Sequence, residues 1–252
     1  MDFLETILTA KKAEIENLAP VHQTINKKRP SFYQYVKGHP EKIQIIAEIK
    51  RASPSKGAIN LAVDPLEQAK NYENAGVAAI SVLTDPVFFK GTIQDLADVA
   101  AVVDLPLLCK DFIISKQQID RAKIAGASLI LLIVAALEPA KLKELHEYAE
   151  SLNLEILVET HNAEELALAK SLPAKVIGVN NRDLKTFEVT LETSLNLAQT
   201  DDETIYISES GFKTTEDVAQ VKENYQAVLV GETLMKAGNI LEKIQALQVI
   251  RQ

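Results

Sequence analysis

Short apolar runs separated by amphipathic stretches dominate the chain. Eight of them, at 43–49, 78–83, 106–109, 128–133, 154–158, 175–179, 204–208 and 227–230, are rich in aliphatic residues and read as strands. Their starts recur at roughly 20 to 35 residues, about the length of a strand, a loop, a helix and a second loop. Strands that are apolar on both faces and alternate with helices belong to a parallel sheet. Eight such units predict an α/β protein closed as a (β/α)8 TIM barrel. Two segments repeat one another just before predicted strands, Asn74-Ala75-Gly76-Val77-Ala78 and Ile124-Ala125-Gly126-Ala127-Ser128. The glycine in each fits a helix C-terminal cap that feeds directly into the strand.

Residues 1–42 lie outside the barrel count. Leu4, Ile7, Leu8, Ile15 and Leu18 recur at helical spacing, so an N-terminal helical extension packed on the barrel is expected. No low-complexity linker marks a second domain, and residues 1–252 are expected to form a single barrel domain. The longest apolar run, Ala127 to Leu137, falls short of the roughly 20 residues that cross a bilayer. It reads as a buried strand running into a loop.

Of the 252 residues, 47% are hydrophobic and 25% charged, enough apolar material for one large core. A formal net charge of -8 argues against nucleic acid or an anionic membrane as the main partner. Met1-Asp2-Phe3-Leu4-Glu5 lacks the pattern of a signal peptide, and a lone Cys109 agrees with a reducing compartment, so a cytoplasmic location is expected. Cys109 itself reads as a small buried apolar residue. None of the four histidines, His22, His39, His146 and His161, pairs with another at the spacing of a compact metal site. No metal or other cofactor is expected. No long heptad demands a partner chain, so a monomer is expected.

In such a barrel the active site lies where the strands end at their C-terminal side. The first run ends in Glu48-Ile49-Lys50, and strand alternation puts Glu48 and Lys50 on one face, directed inward. Later runs end in Lys110-Asp111, in Glu159, in Asn180-Asn181-Arg182-Asp183 and in Glu209-Ser210-Gly211. One charge after a strand is ordinarily a solvated loop residue. An inward mixture of lysines and glutamates instead implies mutual pairing, a charged ligand or both, because burying unpaired charge is costly. The glycine turns at Gly211 and Gly231 follow the seventh and eighth strands, where barrels commonly bind phosphate through backbone N–H groups. Glu232 would repel a phosphate and is expected to turn away. The loop Ala52-Ser53-Pro54-Ser55-Lys56-Gly57 suits either a cationic lid or an ordinary connection. Phe88 and Phe89 would line a ring-binding pocket or merely fill the rim.

With these residues in place, the chain resembles the indole-3-glycerol-phosphate synthase family over nearly its whole length. The most specific element is Glu48-Ile49-Lys50-Arg51-Ala52-Ser53-Pro54-Ser55-Lys56-Gly57. It is followed in order by Lys110-Asp111-Phe112-Ile113, Val158-Glu159, Gly178-Val179-Asn180-Asn181-Arg182-Asp183-Leu184 and Glu209-Ser210-Gly211. Phe88 replaces a common tyrosine, and Ser208 and Glu232 occupy positions where the family varies. The resemblance implies closure of an indole ring from 1-(2-carboxyphenylamino)-1-deoxyribulose 5-phosphate, with loss of CO2 and water and no cofactor, in tryptophan biosynthesis. It further implies Lys110 as general acid, Lys50 and Arg182 on the substrate carboxylate, and Glu159 with Glu48 in the later proton transfers. Asn180 and Glu209 would orient these groups. Ser53, Ser210, Gly211 and Gly231 would bind phosphate, and Phe89 would pack on the aromatic ring. Which lysine acts as acid in each step stays open. Two other readings remain: a Schiff-base lyase or aldolase acting on a phosphorylated ketone, and a non-catalytic phosphate-binding barrel.

Overall fold

The structure, a computed structural model, describes residues 3–18, 21–22, 24–25, 27–199 and 201–251. Eight parallel strands close a barrel: β1 (Gln44–Ile49), β4 (Ala79–Leu83), β5 (Leu107–Lys110), β6 (Leu129–Ile133), β7 (Glu155–Thr160), β8 (Val176–Asn180), β9 (Ile205–Glu209) and β10 (Ala227–Val230). The first and last strands meet, Ile45 opposite Val228, which removes both sheet edges. Between β1 and β4 a two-stranded hairpin, β2 (Ala52–Ser53) and β3 (Gly57–Ala58), stands above the barrel before α3 (Pro65–Asn74). The predicted strands all form, with bounds shifted by a residue or two.

Helices α4 (Ile93–Val102), α5 (Lys116–Ile124), α6 (Pro139–Ser151) and α7 (Ala163–Ser171) fill the next four crossovers. Their starts are encoded locally: Thr92 and Asp95 form a reciprocal capping box on α4, and Asn162 accepts from the Glu165 N–H at the start of α7. Gly76 and Gly126 turn the chain out of α3 and α5 at φ +73° and +94°, as the repeated segments predict. The stretch after β6 is one 3-10 turn, Val134–Ala136, where the sequence suggested a loop. The later units are thinner than a uniform repeat: α8 (Glu192–Asn196) and α9 (Thr215–Ala219) have five residues each, and α10 (Glu232–Met235) precedes α11 (Ile240–Leu247).

Strand alternation divides the core in two. Ile45, Ile80, Leu107, Ile130, Ile156, Ile177, Tyr206 and Val228 face the helices, whereas Ile46, Leu108, Leu131, Leu157, Val176, Ile207 and Leu229 fill the barrel. Glu48, Lys110, Glu159, Asn180 and Glu209 continue the inward series by two-residue steps, so the same periodicity that builds the core ends it in a charged layer.

The extension covers both ends of the barrel. At the mouth, α1 (Phe3–Ile15) buries Ile7 against the interior cluster. At the opposite end, α2 (Phe32–Gly38) inserts Phe32 and Val36, and its Ser31 hydroxyl and Phe32 N–H donate to Glu155 at the start of β7. Between the two helices Arg29 donates to the carbonyls of Ala100, Val103, Leu105 and Gly126 along the barrel flank. Among the described residues no helix is long and apolar enough to cross a membrane.

Candidate active site

The barrel mouth opens into a cavity of about 1100 Å³. Strand order sets its two sides. In the closed barrel β5 and β6 stand across from β9 and β10, so Phe112, Leu131 and Ile133 form an apolar wall opposite Ser210, Gly211 and Gly231. Phe89 joins the apolar wall 6.2 Å from Phe112, ring centre to ring centre. Phe88 instead packs edge-on against Phe3 of α1. Ser53 and Lys56 of the hairpin, and Lys213, Lys236 and Lys243 beyond the glycine turns, make the other side polar and cationic.

The charged layer lies between the two walls. Lys110 Nζ is 3.1 Å from Glu48 Oε2 and 3.3 Å from Glu209 Oε2, reaching from β5 to the opposite strand and so occupying the barrel axis. Lys50 Nζ is 2.6 Å from the other oxygen of Glu48. Burial opposes charge on Lys110, but Glu48, Glu209 and Glu159 raise its pKa and keep it an ammonium. Burial alone would raise Glu48, yet Lys110 and Lys50 hold it down to about 2. Glu209 goes the other way: buried and beside the Glu159 charge, it is pushed up to about 8. Neighbouring carboxylates driven apart in this way are the usual arrangement for sharing acid and base work.

Two glycines make room for the layer. A Cβ on Gly231 would lie 2.3 Å from Glu48 Oε1 and 2.8 Å from Lys50 Nζ, so the residue after β10 must leave bare backbone against the Glu48–Lys50 pair. On Gly178 it would lie 2.2 Å from Glu209 Oε1.

The remaining site residues expected from the sequence also converge here. Asn180 Oδ1 accepts from the Ser210 hydroxyl (2.9 Å) and the Arg182 N–H (3.0 Å), joining β8 to β9. Ser210 and Gly211 sit in left-handed backbone, φ +69° and +99°. Arg182 donates to Ser55 Oγ (3.1 Å) and the Phe187 carbonyl (3.3 Å), linking the β8 loop to the hairpin. Glu232 bonds Lys236 one turn on (2.7 Å), which neutralises the carboxylate that would oppose a phosphate. Cys109 is buried, and its thiol is pushed up to about 12.

Two buried groups escaped the sequence reading. Lys11 of α1 is buried with its ammonium 2.8 Å from Asp85 and 2.7 Å from Asp111. Asp85 accepts from the N–H groups of Phe88 and Phe89, and Asp111 from that of Phe112, so one ammonium ties α1 to both loops carrying the apolar wall. Its sequence signal was its place on the apolar stripe, one turn past Ile7 and Leu8. His161 lies between Glu159 and Glu165. It follows Glu159 by two positions, the alternation that paired Glu48 with Lys50.

Comparison with known proteins bears on this site. The family model for indole-3-glycerol phosphate synthase matches residues 4–247. A curated indole-3-glycerol phosphate synthase of Listeria welshimeri is 56% identical, covering 94% of each chain. Those of Listeria monocytogenes (52%, 100% of each chain) and Lactococcus lactis subsp. cremoris (53%, 99% of this chain and 96% of that one) are similar throughout. Among solved structures, a thiamine phosphate pyrophosphorylase from Pyrococcus furiosus matches with a TM-score of 0.62 at 14% identity, covering 85% of this chain and 95% of that one, which bears on the barrel fold alone. Matched along its length by the family model and by these relatives, the chain belongs to the indole-3-glycerol phosphate synthase family.

Proposed function

We propose that this chain converts 1-(2-carboxyphenylamino)-1-deoxyribulose 5-phosphate to indole-3-glycerol phosphate, CO2 and water, working in the cytoplasm as a monomer with a single barrel domain. The observation that carries the reading is Lys110, an ammonium on the barrel axis between an apolar wall and a glycine- and lysine-lined wall. The substrate has the same polarity: an aromatic ring at one end, a phosphate at the other and a ketone between.

The ring packs on Phe89 and Phe112. The phosphate meets the backbone N–H groups at Gly211 and Gly231 together with Ser53 and Ser210, whose hydroxyl turns from Asn180 to reach it. Lys50 and Arg182 hold the benzoate carboxylate until it leaves as CO2. As the ring carbon attacks the ketone, the oxygen becomes strongly basic and takes a proton from Lys110. An amine held protonated by three carboxylates is suited to that late, strongly basic acceptor. The new hydroxyl then takes a second proton, from Lys50 once the carboxylate has gone, and departs as water, while Glu159, with Glu48, accepts the proton released as the five-membered ring becomes aromatic; Asn180 and Glu209 orient the participants.

The same protonation counts against a Schiff-base mechanism, because an ammonium has no lone pair to attack a carbonyl. A binding-only barrel has no use for buried carboxylates whose affinities for a proton are driven apart. Stoichiometric release of CO2 and indole product from the substrate, with no borohydride-trapped adduct on Lys110, is the expected result. A reduced covalent adduct on Lys110 without CO2 release would overturn the reading.

A further inference from the structure

We propose that His161 is a positioning residue for this reaction: its imidazolium, wedged between Glu159 and Glu165, keeps the Glu159 carboxylate charged and turned toward the barrel axis. The inference rests on the reading of Glu159 as the catalytic base.

The arrangement is built from the helix outward. Glu165 occupies the first turn of α7 and is fixed by its neighbour Asn162, which accepts from the Glu165 N–H (2.9 Å) and donates to Glu165 Oε1 (2.7 Å). The other Glu165 oxygen accepts from the His161 N–H (2.8 Å) and lies 3.1 Å from His161 Nδ1. The opposite ring nitrogen, Nε2, is 3.2 Å from Glu159 Oε1. Ring and carboxylate are nearly closed to solvent, with side-chain exposures of 10% and 3%.

A neutral imidazole has one donor and one lone pair, so one nitrogen would face a carboxylate lone pair to lone pair. Nδ1 has a hydrogen-bond partner in Glu165, whereas Nε2 stands at ion-pair distance from Glu159 without hydrogen-bond alignment, so what suits both carboxylates is the charge of the imidazolium. Burial opposes that charge, yet Glu159 and Glu165 outweigh it and push His161 up to about 10. Asp183, in the loop after β8, is a third carboxylate near enough to feel the charge of the ring. On its inner side Glu159 faces Lys110 from β5, Asn180 from β8 and Glu209 from β9. Burial favours the protonated acid; His161 is the first of the groups that hold Glu159 below the usual carboxylate range. Lys110 cannot do this alone, since it already answers Glu48 and Glu209.

The test compares pH profiles of kcat/KM for the wild type, H161Q, H161A and E159Q. Glutamine keeps a neutral donor near Glu159 and removes the charge. The expected result is an acid limb moved to higher pH by about one unit in H161Q, a plateau roughly tenfold or more lower in H161A, and KM within about twofold in both. E165Q, which loosens the outer partner, should move the limb in the same direction by less. A second readout needs no variant to fold well: the 15N shifts of His161 in the wild type should remain those of an imidazolium at pH 8. Unmoved limbs and unchanged turnover in the His161 variants, with E159Q inactive, overturn the His161 proposal and leave Glu159 as the base. A neutral-imidazole signature at pH 8 overturns it as well. Full activity of E159Q removes the reading of Glu159 itself, and His161 falls with it.

Discussion

Replacing Lys11 with methionine removes one ammonium while keeping the length and apolar stem of the side chain. In the wild type that ammonium lies within 2.8 Å of Asp85, Asp111 and Glu14, with Lys11 and Asp85 nearly sealed from water at 1% side-chain exposure. Without it, two aspartates that share a cation are left facing one another. Removing one partner of a buried pair costs about 3–5 kcal/mol, because the uncompensated charge stays behind. At about 2–4 °C per kcal/mol for a chain near this length, the melting temperature should fall by roughly 6–20 °C. If α1 detaches alone, part of the loss appears as local opening: faster cleavage near the N-terminus and a higher KM, since Phe3, Leu4 and Ile7 line the cavity and the Phe89 and Phe112 loops lose their common anchor. Lys11→Met combined with Asp111→Asn should be less destabilised than the two single effects summed, because one of the two stranded charges is gone. Thermal melts followed by circular dichroism, limited proteolysis and KM measure each part. A Lys11→Met protein that melts within about 2 °C of wild type and keeps its KM would refute the reasoning.

Three further outcomes follow from the same contacts. Gly231→Ala should fold, yet lose about a hundredfold in kcat, because the new Cβ meets the Glu48–Lys50 pair at 2.3 and 2.8 Å and small misplacements of reacting groups are costly; steady-state kinetics beside a melt would separate the two effects. Ser210→Ala should raise KM several-fold with kcat changed less; unaltered substrate affinity would remove its hydroxyl from the phosphate site. Glu48 is held down to about 2 in the folded chain, so its contribution to stability is present above pH 4.5 and lost as the pH falls toward 2. In Glu48→Gln the urea midpoint should therefore decline less steeply over that interval than in wild type.

The barrel was legible because its signal is periodic. Two-residue alternation sorts Ile46 inward and Ile45 outward, and the same rule carries Glu48, Lys110, Glu159, Asn180 and Glu209 into one layer. Local chemistry also marked the glycine caps before β4 and β6. Less of the extension could be read, since its two helices close opposite ends of the barrel through partners far away in sequence: Ile7 joins the buried cluster that holds Phe112, and Phe32 meets Glu155. Lys11 went unread for that reason. A lysine on a helix is ordinarily solvated, and its burial depends on Asp85 and Asp111 in loops that only the closed barrel brings together. His161 was passed over because it was weighed for metal spacing and not for its two-residue offset from Glu159. Gly178 and Gly231 show a different limit: their need for a bare backbone comes from Glu209 and Glu48, which lie on other strands.

The account rests on Lys110 as the proton donor at the centre of the mouth. The most direct measurement is continuous fluorescence after adding 1-(2-carboxyphenylamino)-1-deoxyribulose 5-phosphate to the purified protein in chelator-treated buffer, where the absence of tryptophan from the chain leaves indole emission on a low background. Indole emission should grow with the wild type and fall by about a hundredfold or more with a Lys110→Ala protein that still melts cooperatively. Equal rates in the two proteins, or no indole signal from the wild type at saturating substrate, would contradict the account.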